Sequence, residues 1–361
     1  MLNLPAFEVI NLLAFVAVFA LLILAHELGH FATAKRAGVL VQEFGFGFPP
    51  RIFAFRRGET DYSLNAIPLG GFVKMSGEED PSEPRSLAGK GIWTSLLILS
   101  AGGLMNAALA VMLFMVSFLI PQEVVLGQVQ ITAVAPGSPA EEAGLRPGNV
   151  VFRINDRPIL SGPDVAYNVN LNLGKETVLY VRESTGPSAQ RAVRIMPRYN
   201  PPPGQGAMGI VIGVANAYRT EQSYPLWEAV PLGVRKSADI LTLAKNDIQS
   251  TLSRGGAPAV AGPIGIYQIA GEVARFGLGP LLEFAAILSI NLAFLNLLPF
   301  PMLDGGRMAF VALEGIRRGK RIPAEKESLV HLMGLVALAV LILYVSYGDI
   351  QRLLSGRGPL P

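Results

Sequence analysis

The chain has 361 residues, 51% of them hydrophobic and only 16% charged, a balance that excludes an ordinary soluble enzyme and points to the membrane. Zero cysteines exclude disulfides, a thiol nucleophile and any Cys-ligated zinc or iron–sulfur site, so metal chemistry must use His, Asp or Glu. A net charge of +3 is too small to argue for a nucleic-acid partner, and 39 Gly with 27 Pro exclude one uninterrupted helical bundle.

In chain order, residues 9–34 are apolar apart from Asn11 and the cluster His26, Glu27 and His30, and as a helix they cross a hydrocarbon layer of about 30 Å. The run lacks a basic leader and is too long for a signal-peptide core, so it reads as a span. Residues 92–120 form a second span, ended by Pro121. The segment from Pro121 to about Pro280 carries short strand patterns at 128–135, 150–154, 177–181 and 192–195, with a helix at 138–143 opened by Ser-Pro. This is a small β-rich module, and the proline run Pro201–Pro203 reads as its exit linker. From Trp227 to Leu252 apolar residues recur at helical spacing between charges, as suits a helix lying on a membrane surface or packed on the bundle. Residues 284–303, with Asn291 and Asn296, form a third span, and residues 329–347 a fourth.

Basic residues in short loops mark the cytoplasmic side. Lys35, Arg36, Arg51, Arg56, Arg57, Lys74, Arg85 and Lys90 follow the first span, and Arg307, Arg317, Arg318, Lys320, Arg321 and Lys326 separate the third from the fourth. Four spans place both loops on one side and the long segment on the other. The expected architecture is a polytopic α-helical membrane protein with an inserted β-rich domain: a membrane core at 1–120, the β module at 121–200, a linker and amphipathic segment at 201–280, and the rest of the core at 281–361.

His26-Glu27-Leu28-Gly29-His30 is an H-E-x-x-H pattern on a helix. The i, i+4 spacing puts both imidazoles on one face, where they can share zinc, and Glu27 is placed to take a proton from water that zinc makes acidic. Two histidines and a carboxylate within an apolar span are costly unless they are buried together and used. Catalytic zinc takes three protein ligands, so one more is needed. His331 is one candidate. Asp304 is the better placed, because it ends the stretch Asn296-Leu297-Leu298-Pro299-Phe300-Pro301-Met302-Leu303-Asp304-Gly305-Gly306 at the end of the third span nearest His30, whereas His331 reads as interfacial.

These residues resemble the site-2 protease family of intramembrane zinc metalloproteases, in its bacterial regulator-of-sigma-E branch, over nearly the whole chain. The resemblance implies that His26, His30 and Asp304 bind Zn2+ and that Glu27 is the catalytic acid/base. It implies that Asn291 and Asn296 engage unwound substrate backbone. Ser100-Ala101-Gly102-Gly103-Leu104-Met105-Asn106 is similar to a family A-G-P-x-x-N pattern, with Gly103 where proline is usual and Asn106 matching. Phe44–Phe48 and Ile67–Met75, including Gly70 and Gly71, look like the hairpin region bordering the active site, to whose edge an extended substrate adds. Gly262-Pro263-Ile264-Gly265 resembles a further family segment of unassigned role.

Ala135-Pro136-Gly137-Ser138-Pro139-Ala140, Ala143–Asn149 and Ile154-Asn155-Asp156 resemble a PDZ domain of the bacterial protease type, whose groove either captures a peptide or acts as a steric gate, with Val125–Val129 as a contributing loop. The function implied is hydrolysis within or near the transmembrane segment of a single-span protein, such as an anti-sigma factor or a signal-peptide remnant. The partners are that substrate, the lipid bilayer and a PDZ ligand. The implied location is the bacterial inner (plasma) membrane, with the PDZ-like domain extracytoplasmic and the active site toward the cytoplasm. The rival reading is a noncatalytic PDZ-bearing membrane scaffold.

Overall fold

The structure is a computed structural model that describes residues 4–78, 80–183, 190–256, 261–319 and 322–355. Lys320 and Arg321 of the second basic loop lie outside the described residues. The chain forms two compact units, one of residues 1–118, 226–237 and 259–361, the other of residues 119–225 and 238–258.

The first unit opens with α1 (Leu4–Arg36), a proline-poor apolar run. It stops where Gly38 turns to φ +71° and the Val39 N–H bonds back to the Ala34 carbonyl at 2.9 Å, with Lys35 and Arg36 against the negative end of the dipole. β1 (Val41–Arg57) and β2 (Thr60–Met75) pair antiparallel, and both are folded back on themselves, so that Phe44 pairs with Val73 on one side and Tyr62 on the other. The stretch Gly71–Met75 is left as an edge. α2 (Ile92–Leu119) follows, and Ala34, Val39, Val41, Met75, Leu87, Ile98 and Leu99 form a core that ties the hairpin to the ends of α1 and α2.

The second unit is built on an antiparallel sheet of β3 (Gln122–Val134), β4 (Asn149–Ile154), β6 (Thr177–Glu183), β7 (Arg191–Ile195) and β8 (Ile210–Gln222) in the order β7-β6-β4-β3-β8, with the two-residue β5 (Arg157–Pro158) beside β4. Alternate residues Val129 and Ile131, Leu179 and Val181, and Val193 and Ile195 face its core, as the period of two requires. α3 (Pro139–Glu142) starts at the Ser138 cap, and α4 (Gly162–Leu171) at a capping box of Ser161 and Asp164. β8 extends the sheet past residue 200, so the Pro201–Pro203 run is a connection inside this unit.

α5 (Leu226–Ser253) contributes to both units. From residue 238 onward its buried polar residues are Asp239, Asn246 and Ser250. Asp239 accepts two bonds from Arg157 at 2.5 and 2.7 Å and one from the Tyr167 hydroxyl at 3.0 Å, and Asn246 donates to the carbonyls at the end of α4. Burial, with Asp239 beside it, pushes the Tyr167 phenol above its usual range, so it stays a donor. This half of the helix thus packs its polar side on the sheet unit, while Leu241, Ile248 and Leu252 stay exposed.

The first unit closes with α6 (Pro263–Arg275), α7 (Leu278–Leu297), α8 (Asp304–Ile316) and α9 (Ala324–Leu354). Among the described residues, four helical stretches are long and apolar enough to cross a membrane: Val9–Arg36, Ile92–Leu119, Leu278–Leu297 and Glu325–Leu354. The third lies six residues earlier than expected, because Leu298, restricted by Pro299, turns extended and ends α7. The G-P-I-G segment has a structural role. It opens α6, and the buried Asp349 of α9 accepts the Gly265 N–H at 2.9 Å, an anion at a helix N-terminus. A Cβ at Gly262 would lie 2.6 Å from that carboxylate oxygen, so this position has no room for a side chain, and one at Gly265 would be a tight 3.3 Å from it.

Asp349→Ala should therefore destabilise the membrane unit by about 1–3 kcal/mol, by leaving a buried helix-end donor unpaired, with Asp349→Asn milder. Thermal unfolding in detergent checks the order.

Candidate metal centre

On α1, His26 and His30 stack on one face with ring centroids 4.8 Å apart. His30 Nδ1 lies 2.8 Å from the Ile98 carbonyl of α2. A carbonyl can only accept, so Nδ1 carries the proton and a neutral ring leaves Nε2 bare. That bare nitrogen stands 3.2 Å from His26 Nε2 and 3.2 Å from Asp304 Oδ2, and His26 Nε2 stands 3.1 Å from the same oxygen. The amides of Asn106 and Asn296 approach the far nitrogen of His26, Nδ1, at 3.4 and 3.3 Å. The buried Asn106 Oδ1 has no partner in its present orientation. Turning that amide puts the oxygen on His26 Nδ1–H, which satisfies the orphan and bares the second Nε2 as well.

Three lone-pair donors thus converge where they would repel one another without a cation between them. Ligands bound at 2.0–2.1 Å with tetrahedral angles stand about 3.3–3.4 Å apart, close to the three separations here, and two imidazoles with a carboxylate are a set that zinc takes. Gly102 of α2 keeps the space open. A Cβ there would meet His30 Nε2 and lie 2.6 Å from His26 Cε1 and 2.7 Å from His26 Nε2. The close approach is mutual, since Gly29 of α1 lies against the Ala101 carbonyl. The donor set and its cradle fit a zinc ion.

Asp304 arrives differently from the sequence expectation. It is the first residue of α8 rather than the last of the third span, because the prolines at 299 and 301 turn the chain through a loop in which Met302 takes φ +80°. Gly305 and Gly306 let this loop fold back on the start of α8, against the Leu298 and Phe300 carbonyls. One turn beyond Asp304, Arg307 pairs with Glu78, which also accepts the Met75 N–H at 3.1 Å, so the edge strand and α8 share an anchor.

Glu27 faces that edge. A Cβ on Gly71 would lie 2.9 Å from Glu27 Cγ and from Ile23 Cγ2, so glycine lets the strand reach the helix beside the carboxylate. Gly70 has φ +108° and packs under the Phe48 ring. Asn106 and Asn296 flank His26, while Asn291 is half-buried and forms no side-chain hydrogen bond among the described residues. Two residues the sequence reading did not single out belong to the centre. The Ile98 carbonyl has no sequence signature, since every residue offers one. Gly102 was visible only as the glycine of the Ala101–Asn106 pattern, with no role attached to it.

The comparisons with known proteins follow this geometry. The profile of peptidase family M50 matches residues 14–341. The chain belongs to peptidase family M50, the site-2 protease family. It is 34% identical, over 92% of its length and 96% of the relative's, to a Clostridium perfringens protein that carries a provisional zinc metalloprotease name. It is 29% identical to the Regulator of sigma-W protease RasP of Bacillus subtilis, over 95% of this chain and 99% of that one. The Zinc metalloprotease RasP of Oceanobacillus iheyensis matches at 28% over 95% and 99%. With four apolar helices, this M50 chain is a membrane-integral protein.

Gly102→Ala should abolish metal retention, since the new methyl occupies the space between the imidazoles. Gly103→Ala, whose nearest contacts are the Leu297 side chain at 3.1 Å and the Ala293 carbonyl at 3.3 Å, should keep it. Zinc content of the purified, folded variants decides.

Proposed function

We propose that this M50 chain is an intramembrane zinc endopeptidase that hydrolyses peptide bonds within or near the transmembrane segment of a single-span membrane protein. The observation that carries this reading is the meeting of His26 Nε2, His30 Nε2 and Asp304 Oδ2 at 3.1–3.2 Å on helices apolar enough to span a bilayer. His26, His30 and Asp304 hold the zinc. When bound, it supplies Lewis acidity that polarises a peptide carbonyl and lowers the pKa of water.

The chain's own residues do the rest. Glu27 takes the proton of the attacking water on its carboxylate and hands it to the nitrogen of the leaving amine. The Ile98 carbonyl and the turned Asn106 amide hold the imidazoles with Nε2 forward, with Asn296 beside His26. A helical substrate must unwind before its carbonyl is accessible, and the edge at Gly71–Met75 accepts it as an added strand that runs past Glu27. Gly70 and Gly71 thus border the substrate path, with Asn291 the remaining polar group of α7 available to freed backbone.

The sheet unit acts as a PDZ-like domain outside the cytoplasm, where it captures a peptide end or gates access. The centre faces the cytoplasmic side of a bacterial plasma membrane, the side on which Lys35, Arg36, Arg307 of α8 and Arg317 just past it lie. Substrates of the anti-sigma or signal-peptide-remnant class fit this arrangement, since each presents one short span.

Glu27→Gln removes the base and leaves both imidazoles in place. Zinc content should match the unmodified protein while cleavage of a single-span reporter falls by about 10²-fold or more. Residual turnover near the starting rate would overturn the role of Glu27, and loss of zinc would show that Glu27 holds the site together instead.

A further inference from the structure

His331 reads from sequence as an interfacial histidine at the start of the fourth span. The structure places it elsewhere. On α9 its side chain is 15% exposed, its ring packs 5.5 Å from that of Phe310, and its Nδ1 lies 2.9 Å from the backbone N of Met302. A backbone N–H can only donate, so Nδ1 is an acceptor, the ring is neutral, and its proton is on Nε2, 3.8 Å from Glu327.

Met302 belongs to the loop that delivers Asp304. The loop is poor in donors of its own, because Pro299 and Pro301 have no N–H. Met302 is also in the left-handed region at φ +80°, which a side-chain-bearing residue keeps only where its surroundings hold it. α9 supplies the hold at two points. Gly334, one turn from His331 on the same face, packs so closely that a Cβ there would lie 2.5 Å from Pro301 Cβ and 2.6 Å from its carbonyl oxygen. His331 takes the Met302 N–H. Two residues later Asp304 must set Oδ2 within 3.1–3.2 Å of both imidazoles.

We propose that His331 is a positioning residue for the metal centre: by accepting the Met302 N–H it fixes the loop that presents Asp304, and through Asp304 it sets how firmly the zinc is held. This rests on the zinc reading above. His331 is not itself a ligand, since its Nδ1 is committed to Met302.

The test uses the full chain purified in detergent and loaded with zinc, and reads the rate of zinc release to a chelating dye. His331→Phe keeps an aromatic ring and removes the Nδ1 acceptor together with the Nε2–H, and His331→Leu is a second apolar variant should Phe fail to fold. His331→Asn restores an acceptor oxygen near the Nδ1 position. Zinc should leave the Phe or Leu variant about tenfold or more faster, and the Asn variant within about threefold of the unmodified rate, a rescue that general loss of packing would not give. In cobalt-loaded protein, the visible absorption of the Phe variant should shift toward that of Asp304→Ala, and that of the Asn variant should not. Release from His331→Phe at the unmodified rate, or from His331→Asn as fast as from His331→Phe, would overturn the proposal. If the unmodified protein holds no zinc, or Asp304→Ala releases it no faster, the zinc reading itself fails and takes the proposal with it.

Discussion

Two imidazole nitrogens and a carboxylate oxygen, each 3.1–3.2 Å from the other two, cannot share a low-dielectric space as bare lone pairs. Charge of the opposite sign has to lie among them, and much of the membrane unit is arranged so that it does. α1 brings the histidines by helical spacing alone. α2 has to come close enough for its Ile98 carbonyl to orient His30, and it does so where Gly29 meets the Ala101 carbonyl and Gly102 leaves room for the imidazoles. The small residues of that crossing are thus set by the metal geometry as well as by packing.

The same demand explains why α7 is cut short. A helix continuing through residue 304 would carry the carboxylate on along the axis of α7. The prolines at 299 and 301 force a turn, the pair Gly305 and Gly306 lets the backbone fold onto itself, and Asp304 enters at the positive end of a new helix. From there α8 reaches the hairpin through Arg307 and Glu78, and the hairpin reaches Glu27 through Gly71. Single-residue contacts thus connect Asp304, Glu27 and the Gly71–Met75 edge, the three parts to which the proposed function assigns metal ligand, base and substrate path.

Much of this was legible because the signals are local. The H-E-x-x-H spacing is complete within one helical turn and a residue, and an apolar run of span length is its own signature. Where the sequence misled, the competing force was elsewhere in the chain. The span bearing Asn291 and Asn296 was set six residues late because apolarity continues past Pro299 although the backbone cannot. β8 was missed because the proline run before it looks like an exit linker, and α4 because Asn and Val dilute its helical pattern although Ser161 and Asp164 form a capping box. The role of Gly262-Pro263-Ile264-Gly265 needed Asp349, which is 84 residues further on from Gly265, and the approach of Asn106 and Asn296 to His26 was not legible because only tertiary packing decides which neighbour an amide meets.

The central claim is that the three donors hold one zinc ion. X-ray absorption at the zinc edge, on protein purified without added metal, tests it most directly. The account predicts one zinc per chain, with four nitrogen or oxygen neighbours at about 2.0–2.1 Å and the outer-shell scattering of two imidazoles, one of which disappears in His26→Ala. A spectrum with no imidazole scattering, or one that is unchanged in His26→Ala, would contradict it.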